Sequence, residues 1–134
     1  MKKKNFLIVI PARLKSKRLP GKPLKLIDGL PMIVRTYNQC KKVTDQKNIV
    51  VATDSRKIKK ICDKYEINSI ITSQNCLTGT DRIAQVSTKI KRYFYINVQG
   101  DEPIIPPKDI RKIIKETIKF KNFITNGYTK IKNK

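Results

Sequence analysis

The strongest constraint on this chain is the way short apolar runs alternate with stretches of helical periodicity. Phe6-Leu-Ile-Val-Ile10 is continuous, rich in β-branched residues and closed by Pro11. An apolar run without polar alternation reads as a strand buried on both faces. Asn48-Ile-Val-Val-Ala-Thr53 repeats the pattern, Ser69-Ile-Ile-Thr72 is a shorter third run, and Tyr93-Phe-Tyr-Ile-Asn-Val98 is a fourth. Between them the period changes. Pro31 suits the first turn of a helix reaching about Lys42, with Met32, Val34, Tyr37 and Cys40 facing inward. Residues 56–65 place Ile58, Ile61, Cys62 and Tyr65 at helical spacing. Thr78-Gly79-Thr80-Asp81 leads into a helix with Ile83, Ala84 and Val86 inward. Pro106-Pro107 opens a last helix with Ile110, Ile113, Ile114 and Thr117 on one face. Phe120 to Thr125 is expected to begin a further strand, and residues 126–134 thin into Lys and Asn and are expected to fray. Strands separated by helices cannot pair as hairpins and need crossovers. The fold class is therefore α/β: a Rossmann-like, mostly parallel sheet with helices on both faces. With 134 residues and no Pro/Ser linker, the chain forms one domain.

Composition narrows the chemistry. There is no His, so no Ser-His-Asp triad, Cys-His pair or His-bearing zinc site can be built from this chain alone. Any general base is Asp, Glu, Lys, Tyr or Cys, or comes from substrate, metal or another chain. The cysteines, Cys40, Cys62 and Cys76, lack CxxC spacing and read as free thiols of a reducing compartment. No apolar run is long enough for a membrane span. The basic start is followed by an apolar stretch too short for a signal peptide, so a cytoplasmic location is expected. The net charge is +21, from 31 Lys+Arg against 10 Asp+Glu. Most of the basic residues are Lys, which more often solvates a surface than reads nucleic-acid bases as Arg does.

In an open α/β sheet, ligands gather at the carboxyl ends of the strands. The special residues of this chain fall in the loops that begin there. The loop after the first run holds Arg13, Lys15, Lys17, Arg18 and Lys22, punctuated by Pro20-Gly21 and Pro23. Such a loop suits a triphosphate, although it is neither a Walker A loop nor a GxGxxG fingerprint. After the fourth run, Val98-Gln99-Gly100-Asp101-Glu102-Pro103 sets a carboxylate at the end of a buried strand, where a phosphate-bridging Mg²⁺ would find a ligand. Asp54-Ser55 follows the second run. Asp54 there fits a helix cap or a ligand contact, and the cap is the favoured reading. Thr78-Gly-Thr-Asp-Arg82 opens a helix whose free N–H groups can take a ligand's polar edge or be capped.

Five of these segments occur together and in order: Ile10-Pro-Ala-Arg13, Arg18-Leu-Pro-Gly-Lys-Pro-Leu24, Val51-Ala-Thr-Asp54, Thr78-Gly-Thr-Asp-Arg82 and Asn97-Val-Gln-Gly-Asp-Glu-Pro103. The set resembles the 3-deoxy-manno-octulosonate cytidylyltransferases from about Asn5 to Ile118, and sialic-acid cytidylyltransferases share its opening part. The resemblance implies a nucleotidyltransferase-type fold and Mg²⁺ as cofactor. It implies CTP and the sugar acid 3-deoxy-manno-octulosonate (KDO) as substrates, and CMP-KDO and pyrophosphate as products for lipopolysaccharide assembly. Arg13, Arg18, Lys22 and Asp101 would be the catalytic set, with Asp101 on the metal. Ala12, Arg13, Lys22, Thr72, Ser73, Gly79, Thr80, Arg82 and Gln99 would bind CTP. Cys76 stands where many relatives carry His.

Members of this family are longer. Residues 1–134 would then form the CTP-binding domain. The C-terminal half of the family fold, with much of the sugar-acid pocket, the dimer contacts and a second metal-binding Asp, has no counterpart here. The alternatives are a nucleotide-binding fragment without turnover, or a basic nucleic-acid module drawing on the +21 charge. The chain lacks an aromatic-rich basic strand or a recognition-helix motif, so nucleic acid is not the expected partner.

Overall fold

The computed structural model describes residues 5–128. Of the end expected to fray, 126–128 is irregular and exposed, and 129–134 lies outside the described residues.

Strand β1 (Phe6–Ala12) is buried along its whole length. It is followed by a short hairpin, β2 (Leu26–Ile27) and β3 (Leu30–Pro31), and by helix α1 (Met32–Lys41). Then come β4 (Ile49–Thr53), α2 (Arg56–Lys64), β5 (Ser69–Ile71), α3 (Gly79–Lys89), β6 (Phe94–Asn97) and α4 (Pro107–Lys119). The main sheet has the order β5-β4-β1-β6. All its pairings are parallel: Ile8 sits opposite Ile49, Ala12 opposite Thr53, Val9 opposite Asn97 and Thr53 opposite Ile71.

The alternation of side chains along β1 accounts for the layers. Phe6, Ile8, Ile10 and Ala12 face one way and pack with Ile33, Tyr37 and Cys40 of α1, Ile58 and Cys62 of α2, and Ile110 and Ile114 of α4. Leu7 and Val9 face the other way with Val50 and Ala52, covered by Val86 and Ile83 of α3. Helices thus cover both faces, three on one and one on the other. Truncating a fully buried residue at the centre of this sandwich, such as Ile8, costs about 2–5 kcal/mol.

The structure corrects several sequence expectations. Pro11 does not close β1 but lies within it, opposite Ala52. Its carbonyl accepts the Gly100 N–H, so the donor it lacks faces the β6 side, beyond the last paired residue, Asn97. Ile33 and Thr36 are buried in α1, whereas Met32 is only half-buried. In α3, Ala84 is exposed and Arg82 is buried instead. The segment from Phe120 to Thr125 forms a turn and irregular chain, not a strand. It pairs with neither edge strand of the sheet, β5 or β6, and Phe123 and Ile124 are exposed.

All three cysteines are free. Burial pushes the Cys40 thiol up to about 12 and, with the charge of Asp63 adding to it, the Cys62 thiol up to about 11. A neutral thiol with a raised folded pKa contributes stability in full below the ordinary thiol value of 9.0, and loses it as pH rises through the folded value. Unfolding midpoints are therefore expected to be flat from pH 7 to 8.5 and to fall between pH 9 and pH 12. At pH 8 a thiol reagent is expected to label half-buried Cys76 alone in the native chain, and all three cysteines in denaturant; rapid native labelling of three would contradict the packing.

Candidate nucleotide site

Because the four main strands are parallel, Ala12, Thr53, Ile71 and Asn97 end at one edge of the sheet. The chain runs outward from β1 to β4 and β5, then returns to place β6 on the other side of β1. The loops after β1 and β6 therefore diverge around a switch point, the place where such sheets bind ligands.

The loop after β1 is pinched at its base, where the Gly21 N–H donates to the Leu14 carbonyl at 2.9 Å. Gly21 sits at φ +70°, a conformation that favours glycine. Residues 15–20 project as a cationic arch. Arg13, Lys15, Lys17, Arg18 and Lys57 line an open cleft of about 1030 Å³ beneath it. Lys57 was not expected from the motifs. The signal was present in Ser55, whose Oγ accepts the Ile58 N–H at 3.3 Å and so starts α2 with Lys57 in its first turn, at the sheet's carboxyl edge. This also corrects the reading of Asp54, which is not the cap.

At the pinch the chain makes a turn over 22–24 that aims Lys22 across the switch point. Its Nζ donates to Asp101 Oδ2 at 2.7 Å. The side chains are 35% and 46% exposed, so the pair contributes only about 0–1 kcal/mol to stability. A bridge this weak can be opened at little cost.

A smaller cavity, of about 120 Å³, lies at the start of α3 and is lined by Ala12, Arg13, Cys76, Gly79, Arg82 and Gln99, among others. Gly79 allows it to be this narrow: a Cβ there would stand 3.0 Å from Gln99 Nε2 and 3.2 Å from Pro11 Cγ. Gln99 Nε2 donates to Asn97 Oδ1 at 3.1 Å. Thr72 is buried and accepts a short hydrogen bond from Arg82 Nη1, while the Ser73 carbonyl accepts from the same nitrogen at 3.4 Å. Arg82 Nη2 forms an ion pair with Asp54 Oδ2 at 3.6 Å.

Of the residues expected to form the site, Ala12, Gly79, Arg82 and Gln99 share the small cavity, and Arg18 lies in the large cleft. Arg13 lines both. Lys22 and Asp101 pair with each other and line neither. Thr72 and Ser73 stand behind Arg82 rather than in the cavity wall, and Thr80 is exposed on the first turn of α3.

A family model described as cytidylyltransferase matches residues 7–134. The chain belongs to the cytidylyltransferase family. It is 49% identical over 112 residues to the 3-deoxy-manno-octulosonate cytidylyltransferase of Polynucleobacter necessarius subsp. necessarius, covering 81% of this chain and 44% of that one. The enzyme of the same name from Chloroherpeton thalassium is 46% identical over 108 residues, with the same coverage. Among solved structures, a CMP:2-keto-3-deoxy-manno-octonic acid synthetase complexed with CTP superposes with a TM-score of 0.83 at 36% identity, covering 89% of this chain and 49% of that one. The chain thus spans less than half the length of the curated relatives it matches. The α/β nucleotidyltransferase fold expected from the sequence is the one observed.

Helix α3 opens on Thr78-Gly-Thr-Asp-Arg82, in which Thr78 and Asp81 form a full capping box. Thr78 Oγ1 accepts the Asp81 N–H at 3.1 Å, and Asp81 Oδ2 accepts the Thr78 N–H at 2.8 Å. These bonds from Thr78 hold the Asp81 carboxyl below the ordinary carboxylate range. The contribution is present above the unfolded value near pH 4 and is lost as pH falls through the lower folded value. Thr78→Ala is expected to cost about 1 kcal/mol, read from the urea midpoint.

As a metal ligand, Asp101 offers hard oxygen, and its carboxylate already accepts a cation, the Lys22 ammonium. Among the described residues no group of three or more acidic or Cys side chains gathers around a point. That donor set fits Mg²⁺, which needs only one or two protein carboxylates and takes its remaining ligands from phosphate and water.

Proposed function

We propose that this chain provides the CTP side of cytidylyl transfer to KDO, with CMP-KDO and pyrophosphate as products. The observation that carries the reading is the Lys22–Asp101 bridge across the switch point. It joins the cationic loop after β1 to the carboxylate after β6, so one residue can receive phosphate and the other a metal. The 36% identity to a CTP-complexed synthetase and the names of the curated relatives support CTP and KDO as substrates.

In this reading the nucleoside lies toward the small cavity, framed by Ala12, Gly79, Thr80, Arg82 and Gln99 and backed by Thr72 and Ser73. The phosphates run under the arch, met by Arg13, Arg18 and Lys22. When the triphosphate arrives, Lys22 exchanges Asp101 for a phosphate oxygen. Freed of Lys22, Asp101 would be the residue to hold Mg²⁺, which when bound would supply charge neutralisation on the phosphates. The KDO hydroxyl oxygen bonds to the α-phosphorus as the bond from that phosphorus to the α,β-bridging oxygen breaks; pyrophosphate leaves and the hydroxyl proton passes to water. Such a transfer asks the protein chiefly for positioning and charge neutralisation, which Lys and Arg supply without His. A cytoplasmic site of action and a role in lipopolysaccharide assembly follow from the same reading.

The test is pyrophosphate release from CTP, KDO and Mg²⁺, with the chain alone and mixed with the remaining segment of its Polynucleobacter relative. Release that needs all three reactants is expected from the mixture. Saturable CTP binding without release in either arm would leave a nucleotide-binding chain and remove the transfer.

A further inference from the structure

Arg82 is 3% exposed at the side-chain level, yet it carries a full charge. A buried guanidinium has five donors to satisfy and a large desolvation cost, so its position is fixed by the acceptors around it. Here those acceptors come from the ends of two strands. Thr72 Oγ1 and the Ser73 carbonyl follow β5, and Asp54 follows β4. Asp54 is the only carboxylate among them, 21% exposed, and it is released from capping duty because Ser55 takes that role. Thr53 completes the frame: its carbonyl accepts the Thr72 N–H at 2.9 Å, and its Oγ1 accepts the Ser55 N–H at 3.1 Å. Arg82 itself forms part of the wall of the small cavity, beside Gly79 and Gln99.

We infer that Asp54 is a positioning residue of the nucleotide site, holding the Arg82 guanidinium in the cavity wall so that the cavity keeps the shape that receives the nucleoside end of the nucleotide. The inference rests on the CTP reading above. It separates the two ends of the ligand. Asp54 pairs with Arg82 in the wall of the small cavity, whereas neither Asp54 nor Arg82 lines the cationic cleft under the arch; Arg13 is the basic residue that lines both.

The test is calorimetric titration of the full chain and of Asp54→Asn with CTP and, separately, with inorganic triphosphate, in Mg²⁺ buffer at a temperature where both are folded by circular dichroism. Asp54→Asn is expected to weaken CTP binding by tenfold or more and to leave triphosphate binding within twofold. Equal CTP affinities would overturn the inference. Parallel losses for both ligands would also overturn it, because a general loosening of the fold moves both. If Asp54→Asn does not fold, Asp54→Glu takes its place. Its longer arm displaces the guanidinium while keeping the charge, and the same selective loss is expected, of threefold or more; equal affinity overturns the inference there too. A wild-type chain that binds triphosphate but not CTP, or binds neither, refutes the CTP reading itself, and with it this role for Asp54.

Discussion

Gly100→Ala is expected to be among the most damaging small substitutions in this chain, costing about 1–3 kcal/mol through overpacking. For a domain of this size that is about 3–12 °C in unfolding midpoint. A Cβ at this position would stand 2.9 Å from the Pro11 carbonyl oxygen, 3.2 Å from Ile33 Cδ1 and 3.3 Å from Ala12 Cβ. The nearest of these is backbone and cannot swing aside. Gly100 is also tied on both sides: its N–H donates to Pro11 O at 3.2 Å, and its carbonyl accepts from buried Thr36 Oγ1 at 3.0 Å. Pushing it outward moves Asp101, the next residue, away from Lys22. Thermal unfolding should therefore fall together with CTP affinity. A variant with an unchanged midpoint would show that this packing is looser than described.

The second large effect is expected at the bridge itself. Asp101→Asn removes the carboxylate while leaving Lys22 in place. Because the bridge is worth only about 0–1 kcal/mol, stability should change little. What should change is the metal dependence of nucleotide binding. In the wild-type chain Mg²⁺ is expected to strengthen CTP binding, and in Asp101→Asn that gain should vanish. Lys22→Met should act differently, weakening CTP with or without Mg²⁺ by about 10- to 150-fold. That range corresponds to a lost charge-assisted hydrogen bond of about 1.5–3 kcal/mol. Calorimetry at matched ionic strength distinguishes the two patterns. Identical behaviour of the variants would mean that Lys22 and Asp101 do not divide phosphate and metal between them.

Much of the architecture was legible because burial on both faces leaves a plain mark. Phe6–Ile10 and Ile49–Thr53 are apolar without interruption, and they are the two central strands of the sheet. The misreadings fall where tertiary context overrides local preference. Pro11 usually ends a strand, but here its missing donor faces a side where the ladder has already run out. Arg82 was expected at the site, but its burial depends on Asp54 and Thr72, distant in sequence, being brought against it. The Phe120–Thr125 run has the composition of a strand but joins neither edge of the sheet.

The location of the candidate site was legible, since Arg13, Lys22 and Asp101 all lie in loops at the carboxyl edge of the sheet. The division of labour was not. That Lys22 bridges to Asp101, that Lys57 joins the cationic cleft, and that Asp54 pairs with Arg82 while Ser55 caps α2 are facts of three-dimensional placement.

Whether the carboxyl edge of this sheet receives CTP with Mg²⁺ is decided by titrating the full chain with CTP in the presence and absence of Mg²⁺, beside ATP as a control. Saturable CTP binding is expected at or below millimolar ligand, weakened when Mg²⁺ is removed and at least tenfold weaker for ATP. No saturable CTP binding at millimolar ligand, or equal affinity for CTP and ATP, would contradict it.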